Sequence, residues 1–390
     1  MNNGKRVLVI GVGWYGSKVV KLLAKSEVFS EITIGEIDMA KAKALADSVA
    51  GCGKTVKVKN VDATSEASLL EVIRDTDIVV NTTGPYHLTA VPMIKAAAKS
   101  GKNYVDLDAN VTAIKQVQAL DKEVKSAGIA VCISFGDIPG IANIVTRYGA
   151  NKLDEVEEIH IAAGGGRYRF PLVGIERLWR NIFASPVIYK DGKFVEVEPF
   201  SDPEVIQPPI SAPFEVVVAN MPTTLSMPTV FPKAKVVTFK TGMAPKDIGN
   251  DMLHLMFKWG FNSMEPIDVK GSKVTPADFA IAFLASDVHS KAIGLLDRAT
   301  NDVSGTVYGG HQIRVTGKKN GHPARCTLGL WDPNYCMVES TCAFCAEQLA
   351  TGAIKQKGVL VPEALDNPDP FMKMARLKGC VIRESFEHMM

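Results

Sequence analysis

The chain has 390 residues, 46% of them apolar and 22% charged, the make-up of a globular protein long enough for two or three domains with real cores. Its 44 basic and 42 acidic residues leave a net charge of +2, which points away from nucleic acid and charged membrane surfaces as partners. Seven scattered cysteines fit reduced thiols in the cytoplasm, and no apolar run approaches the ~20 residues of a membrane-spanning helix.

Residues 7–10 read as a buried strand, and Gly11-Val12-Gly13-Trp14-Tyr15-Gly16 follows at once. Residues 17–25, with apolar Val19, Val20, Leu22 and Leu23, read as the helix into which this loop opens. A second strand, 32–34, ends at Glu36, twenty residues beyond Gly16. A dinucleotide needs this arrangement. The first glycine permits a tight turn, the second lets the backbone approach the pyrophosphate, and the third lets helix and strand pack closely. The pyrophosphate then faces the free N–H groups at the start of the helix.

Strand and helix go on alternating: helix 39–50, strand 56–61, helix 68–74, strand 78–81, helix 88–100, strand 104–107, helix 113–127 and strand 129–134. Six strands in that order imply an α/β fold with a Rossmann-type doubly wound parallel sheet. The character changes beyond Pro139-Gly140. Segments 156–162, 187–197, 214–218, 236–240 and 306–330 look like strands of a mostly antiparallel sheet, with hairpin turns at Asp191-Gly192 and Asn320-Gly321. Helices are expected at 175–183, 249–259 and 276–285, and the proline-rich stretches 199–213 and 221–232 read as loops. The tail returns to helix at 337–350 and ends in a strand-like 379–382. The division expected is 1–138 for dinucleotide binding, 139–335 for an α+β substrate and dimerisation domain, and 336–390 for a segment returning to the first domain.

Several residues can carry chemistry. Glu36 can accept from both ribose hydroxyls, and its charge repels a 2′-phosphate, so NAD is favoured over NADP. Ile37 and Asp38 lie beside it, Asp38 having a helix N-cap as its alternative role. Asp62-Ala63 follows the third strand, where an acid can hold the adenine amino group or cap the next helix. Thr83-Gly84-Pro85-Tyr86-His87 follows the fourth strand, at the carboxyl edge where ligands sit in open α/β sheets. There Gly84-Pro85 lets the backbone run beside the cofactor ribose, and Tyr86 and His87 lie towards the nicotinamide. Asp106 and Asp108 alternate on one face at the end of the fifth strand, Asp106 directed at cofactor or backbone. Asp137 follows the sixth strand. Carboxylates converging there can supply a general base, whose pKa desolvation raises, or can bind an ammonium group. Arg167 and Arg169, after three glycines, suit a substrate carboxylate through paired N–H donors. Cys342-x-x-Cys345 sits inside a helix and reads as small apolar residues, and no metal site is expected.

The chain resembles the saccharopine dehydrogenase family, and within it lysine 6-dehydrogenase-like members. The matching stretches are residues 9–16, 81–86, 104–108, 127–144 and 153–166, with 340–365 and 378–384 in the tail; 201–304 matches poorly. The resemblance implies that the middle domain is an insertion and that the tail completes the nucleotide-binding domain. It implies an NAD(P)-dependent dehydrogenase acting on CH–NH or CH–NH2 groups of an amino acid such as lysine, and a homodimer formed through the second domain. Saccharopine-forming members carry an Asp directly before Pro-Gly; here that position is Ile138, and Asp137 lies one residue earlier. Two alternatives remain beside amine oxidation: reductive C–N condensation of the saccharopine or carboxynorspermidine type, and a non-catalytic NAD(H)-binding sensor.

Overall fold

A computed structural model of the chain describes residues 4–165, 185–244, 249–286 and 309–389, together with Trp179 and Phe183. Two compact units emerge: Met1–Tyr148 with Asn334–Gly379, and Gly149–Pro333 with Cys380–Met390.

The first unit runs β1 (Lys5–Ile10), α1 (Trp14–Lys25), β2 (Phe29–Glu36), α2 (Met39–Val49), β3 (Thr55–Asn60), α3 (Glu66–Ile73), β4 (Ile78–Asn81), α4 (Tyr86–Lys99), β5 (Asn103–Asp106), α5 (Val111–Gln118), α6 (Asp121–Ser126), β6 (Ala130–Cys132) and α7 (Ile141–Ala150). Ser65 and Asn110 cap α3 and α5 with side-chain oxygens on first-turn N–H groups. β4 and β6 are buried at every position, as parallel strands covered on both faces must be.

The second unit follows with β7 (Glu155–Gly165), β8 (Val187–Lys190), β9 (Lys193–Glu196), β10 (Glu204–Ile206), β11 (Phe214–Val218), α8 (Thr223–Val230), β12 (Val236–Met243), α9 (Asn250–Lys258), β13 (Ile267–Val269), β14 (Ser272–Val274), α10 (Pro276–Leu284), β15 (Gly309–Lys319) and β16 (His322–Trp331). Then come α11 (Met337–Ala350), β17 (Gly358–Leu360), α12 (Asp369–Leu377) and β18 (Val381–His388).

The first sheet is parallel throughout, in the order β17-β6-β5-β4-β1-β2-β3. β1 lies between β2 and β4, so the chain reverses its direction of travel across the sheet there. The crevice at the carboxyl ends of β1 and β4 is the switch point where such folds bind ligands. The tail divides. α11 packs on α1, β4 and β5, and β17 extends the parallel sheet beside β6. β18 instead pairs with β16 in the second sheet.

That second sheet is mixed, β10-β11-β12-β7-β15-β16-β18, with the β8–β9 hairpin beside β12; only β12 and β7 run parallel. Asp191-Gly192 and Asn320-Gly321 both take left-handed conformations at hairpin turns. Two segments read as loops hold structure: 221–232 carries α8, and 199–213 carries β10. Pro222 at the N-cap of α8 and Pro228 within it hid that helix from a reading that treats proline as a breaker. Most of the expected helix 175–183 lies outside the described residues.

Candidate active site

The glycine loop closes because two of its glycines have no room for a side chain. Gly11 has φ +85°, and a Cβ there would sit 2.9 Å from the Thr83 Cα; one on Gly16 would strike the Gly11 carbonyl. Gly13 differs. A Cβ built on it meets nothing within 4 Å, so open space lies before the first turn of α1, which no side chain caps. These are the properties a pyrophosphate requires: a loop held tight at both ends, bare backbone in the middle, and an uncapped helix start. Lys18, one turn into α1, has its ammonium 5.0 Å from the Trp14 ring centroid and 5.9 Å from that of Tyr15, and 3.2 Å from the Glu339 carboxylate on α11.

Glu36 ends β2, and its carboxylate ties that strand to the loop. One oxygen accepts from the Val12 N–H at 2.8 Å, the other from the Ile37 N–H at 2.9 Å. A cleft of about 180 Å³ opens beside it, lined by Gly11, Glu36, Ile37, Asp62, Ala63, Thr83, Gly84, Pro85 and Leu88. Ile37 and Leu88 expose apolar side chains there. The Thr83 hydroxyl is buried with no hydrogen-bond partner. An orphaned donor beside an apolar-walled cleft and a carboxylate fits a nucleoside.

Two carboxylates placed at the cofactor by sequence do other work. Asp38 caps α2, accepting from the N–H groups of Ala40 and Lys41 at 3.1 Å each. Asp106 is only 1% exposed. One of its oxygens accepts from the Asp108 N–H (3.1 Å) and the Ser134 N–H (2.7 Å), the other from the Tyr104 hydroxyl (2.8 Å). Burial outweighs these donors and pushes its pKa up to about 6. Asp106 therefore braces the backbone of the loops after β5 and β6, the second of the two roles its position offered. Asp62 keeps a fully exposed carboxylate, turned onto the Thr64 N–H and hydroxyl, which lower its pKa.

The bracing is wider than Asp106. The Asn81 side-chain amide on β4 donates to the Tyr104 hydroxyl at 2.8 Å, and its Oδ1 accepts from the Thr83 N–H at 2.9 Å. A single buried chain of bonds thus joins the loops after β4, β5 and β6. Sequence reading passed over Asn81 and Tyr104 as site residues. The signal was present: a polar side chain at a buried position of an otherwise apolar parallel strand must find a partner.

The candidate catalytic residues stand on this frame at the carboxyl edge. β5 ends at Asp106, so Asp108 stands in the loop and not on the strand face that alternation implied. It is 2% exposed, and its carboxylate accepts from the Asn110 N–H at 2.7 Å. The loop after β6 runs alongside: a Cβ on Gly136 would lie 3.7 Å from that of Leu107. Asp137 follows, half-buried, before Ile138-Pro139, which like Gly84-Pro85 is a cis peptide bond. Tyr86 and His87 begin α4; the Tyr86 hydroxyl lies 3.4 Å from the Asn81 carbonyl, and His87 is exposed. Arg167 and Arg169 lie outside the described residues. Cys342 and Cys345 are buried on α11, and burial holds both thiols in the protonated form, unsuited to redox work. Among the described residues no cluster of three or more His, Cys, Asp or Glu side chains is arranged to hold a metal ion.

Fold and site together define a dinucleotide-binding α/β unit joined to a mixed-sheet unit. Residues 7–132 match the family model described as the saccharopine dehydrogenase NADP binding domain. The nucleotide-binding unit is thus similar to the NADP-binding domain of the saccharopine dehydrogenase family, whose members are NAD(P)-dependent oxidoreductases. The apo saccharopine dehydrogenase (L-Glu forming) of Saccharomyces cerevisiae has the same fold, with a TM-score of 0.69 at 19% identity over 98% of this chain and 100% of that one. A carboxyaminopropylagmatine dehydrogenase of Synechocystis is 23% identical over 303 residues, 72% of each chain. A lipid droplet localized protein of Caenorhabditis elegans is 29% identical over 177 residues, so the chain spans 42% of that relative's length.

Proposed function

We propose that this protein is an NAD-dependent oxidoreductase acting on the C–N bond of an amino acid such as lysine or a lysine derivative, and that it works as a homodimer. The observation that carries the NAD assignment is Glu36: its carboxylate lines the cleft and is anchored to the glycine loop through the Val12 N–H. A carboxylate so placed accepts from ribose hydroxyls and repels a 2′-phosphate. Gly11, Gly13, Trp14, Tyr15 and Gly16 hold the pyrophosphate. Ile37, Asp62 and Ala63 flank the adenine, while Thr83, Gly84 and Pro85 flank the second ribose. Bound NAD supplies the hydride acceptor.

The chain's own residues do the rest. An amine carbon gives up hydride only when the nitrogen lone pair is free, so the ammonium must first lose a proton. Asp108 or His87 takes that proton, with Asp137 assisting and Tyr86 positioning the amine. Asp106 acts at one remove, by fixing the Asp108 backbone. Arg167 or Arg169 anchors the substrate carboxylate by paired donors.

The test is Asp108→Asn. It should abolish amine-dependent reduction of NAD while leaving NADH affinity within about twofold, since the residue stands beyond the glycine loop. Unchanged turnover ends the role of Asp108. Activity that needs both an amine and a carbonyl compound, with none on an amine alone, replaces amine oxidation by reductive condensation.

A further inference from the structure

The two prolines after β10 press a strap onto the second sheet. Pro208 and Pro209 are buried, and the sheet makes room for them with glycine. A Cβ on Gly310 of β15 would lie 2.9 Å from the Pro208 Cβ, and one on Gly329 of β16 would lie 2.5 Å from the Pro209 Cδ. Glycine weakens a strand interior and marks the close approach of another segment. The strap is pinned at both ends. Ser211 accepts from the Gly309 N–H at 3.0 Å, and the Gln207 N–H donates to the Gln312 Oε1 at 3.3 Å. Between these pins Ile210 is held at φ +66°, a costly conformation for a β-branched residue, with its side chain 51% exposed.

Beside the strap lies a hollow of about 610 Å³, the size of a small-molecule site. The register of the sheet says what faces it. Gln312, Gly329 and Arg383 stand opposite one another across β15, β16 and β18, and Thr327 stands opposite Ser385. Directly opposed residues share a face, so the missing side chain of Gly329 opens the floor between Gln312 and Arg383. Pro208, Pro209 and Ile210 make the apolar wall.

The polar groups around the hollow are donors. Arg383 has no ion-pair partner among the described residues. Its basic neighbours on the same face are matched, Arg314 by Glu204 and Arg325 by Glu387. Glu384 alternates to the other face, where it lies 3.0 Å from the Lys152 ammonium. Gln207 takes the Gln312 Oε1, so the NH2 is the remaining end of that amide. Thr327 and Ser385 add hydroxyls.

We propose that this hollow binds a small organic monoanion, a carboxylate carried on an apolar body. Arg383 holds the carboxylate by paired N–H donors, the Gln312 amide and the Thr327 and Ser385 hydroxyls surround it, and Pro209 and Ile210 cover the hydrocarbon. One uncompensated cation matches one negative charge. Every lining residue belongs to the second unit, whereas those of the nucleotide cleft belong to the first. None of them is assigned to amine oxidation.

Calorimetric titration of the full chain with hexanoate tests this, with hexylamine and inorganic phosphate as comparison probes. Hexanoate should bind saturably, with or without NADH, and hexylamine should not. Arg383→Gln should weaken hexanoate about tenfold or more, the worth of hydrogen bonds to a charged group, with thermal unfolding and NADH affinity unchanged. Thr327→Val should weaken it several-fold. Arg325→Gln, on the same face but beside Glu387, should leave hexanoate affinity within about twofold of wild type. The absence of saturable binding, or binding that Arg383→Gln leaves intact, overturns the site. Phosphate bound more tightly than hexanoate through Arg383 overturns the carboxylate assignment.

Discussion

The Tyr104 hydroxyl donates to the buried Asp106 carboxylate at 2.8 Å, two residues along the same strand. From that bond the network spreads to Asn81, Thr83, Asp108 and Ser134. The frame under the candidate active site is therefore polar and buried, and it ties together the loops after β4, β5 and β6. Tyr104→Phe removes one donor from Asp106 and the acceptor of Asn81 together. Urea unfolding should show a loss of about 1–3 kcal/mol, the cost of leaving buried polar groups unpaired. Unchanged stability would mean that the network does not brace the sheet.

The same carboxylate gives stability a pH dependence. The unfolded pKa of Asp is ~3.9, and burial raises that of Asp106 to about 6 in the folded chain. The folded state therefore holds the proton more tightly. This contribution to stability is full below about pH 4, declines as pH rises, and is gone above about pH 6; it amounts to something on the order of 3 kcal/mol. Asp106→Asn should flatten the unfolding free energy between those limits relative to wild type. A parallel slope in wild type and variant would contradict the assignment.

Glycines in one loop should separate folding from binding. Gly16→Ala forces a methyl against the Gly11 carbonyl, and thermal unfolding should register it. Gly13→Ala places its methyl in open space, so stability should hold while NADH affinity falls about tenfold or more, because the methyl occupies the pyrophosphate's approach. Equal effects of the two variants on stability and affinity would count against this division.

Glu36 should set cofactor choice. Glu36→Ala removes the anchor of the Val12 N–H and the expected ribose acceptor. Its NADH affinity should fall by roughly 10- to 100-fold, the worth of hydrogen bonds to a charged group. NADPH should lose far less, having no stake in that carboxylate. If the wild type already prefers NADPH, the residue does not repel the 2′-phosphate.

Much of the first unit was legible because its signals are local. The glycine loop, the apolar β4 and Glu36 each declare themselves within a few residues, and the parallel order follows from alternation of strand and helix. Legibility failed where partners are distant in sequence. Asp106 and Asp108 looked equivalent on a strand, but β5 stops at Asp106, and a bond to Ser134 in the loop after β6 draws Asp106 inward. Asp38 was open between ribose and helix cap, and the cap took it. β18 extends six residues beyond the strand-like stretch ending at Ile382, because a strand exposed on both faces has no apolar alternation to announce it.

The most direct test of the central claim is to incubate the purified protein with NAD and a panel of diamines and basic amino acids, following the absorbance of the reduced cofactor. Reduction is expected with an amino acid of the lysine type, and none with Asp108→Asn. Tight NADH binding with no turnover on any amine, even when keto acids are supplied with NADH, would contradict it and leave a nucleotide-binding sensor in its place.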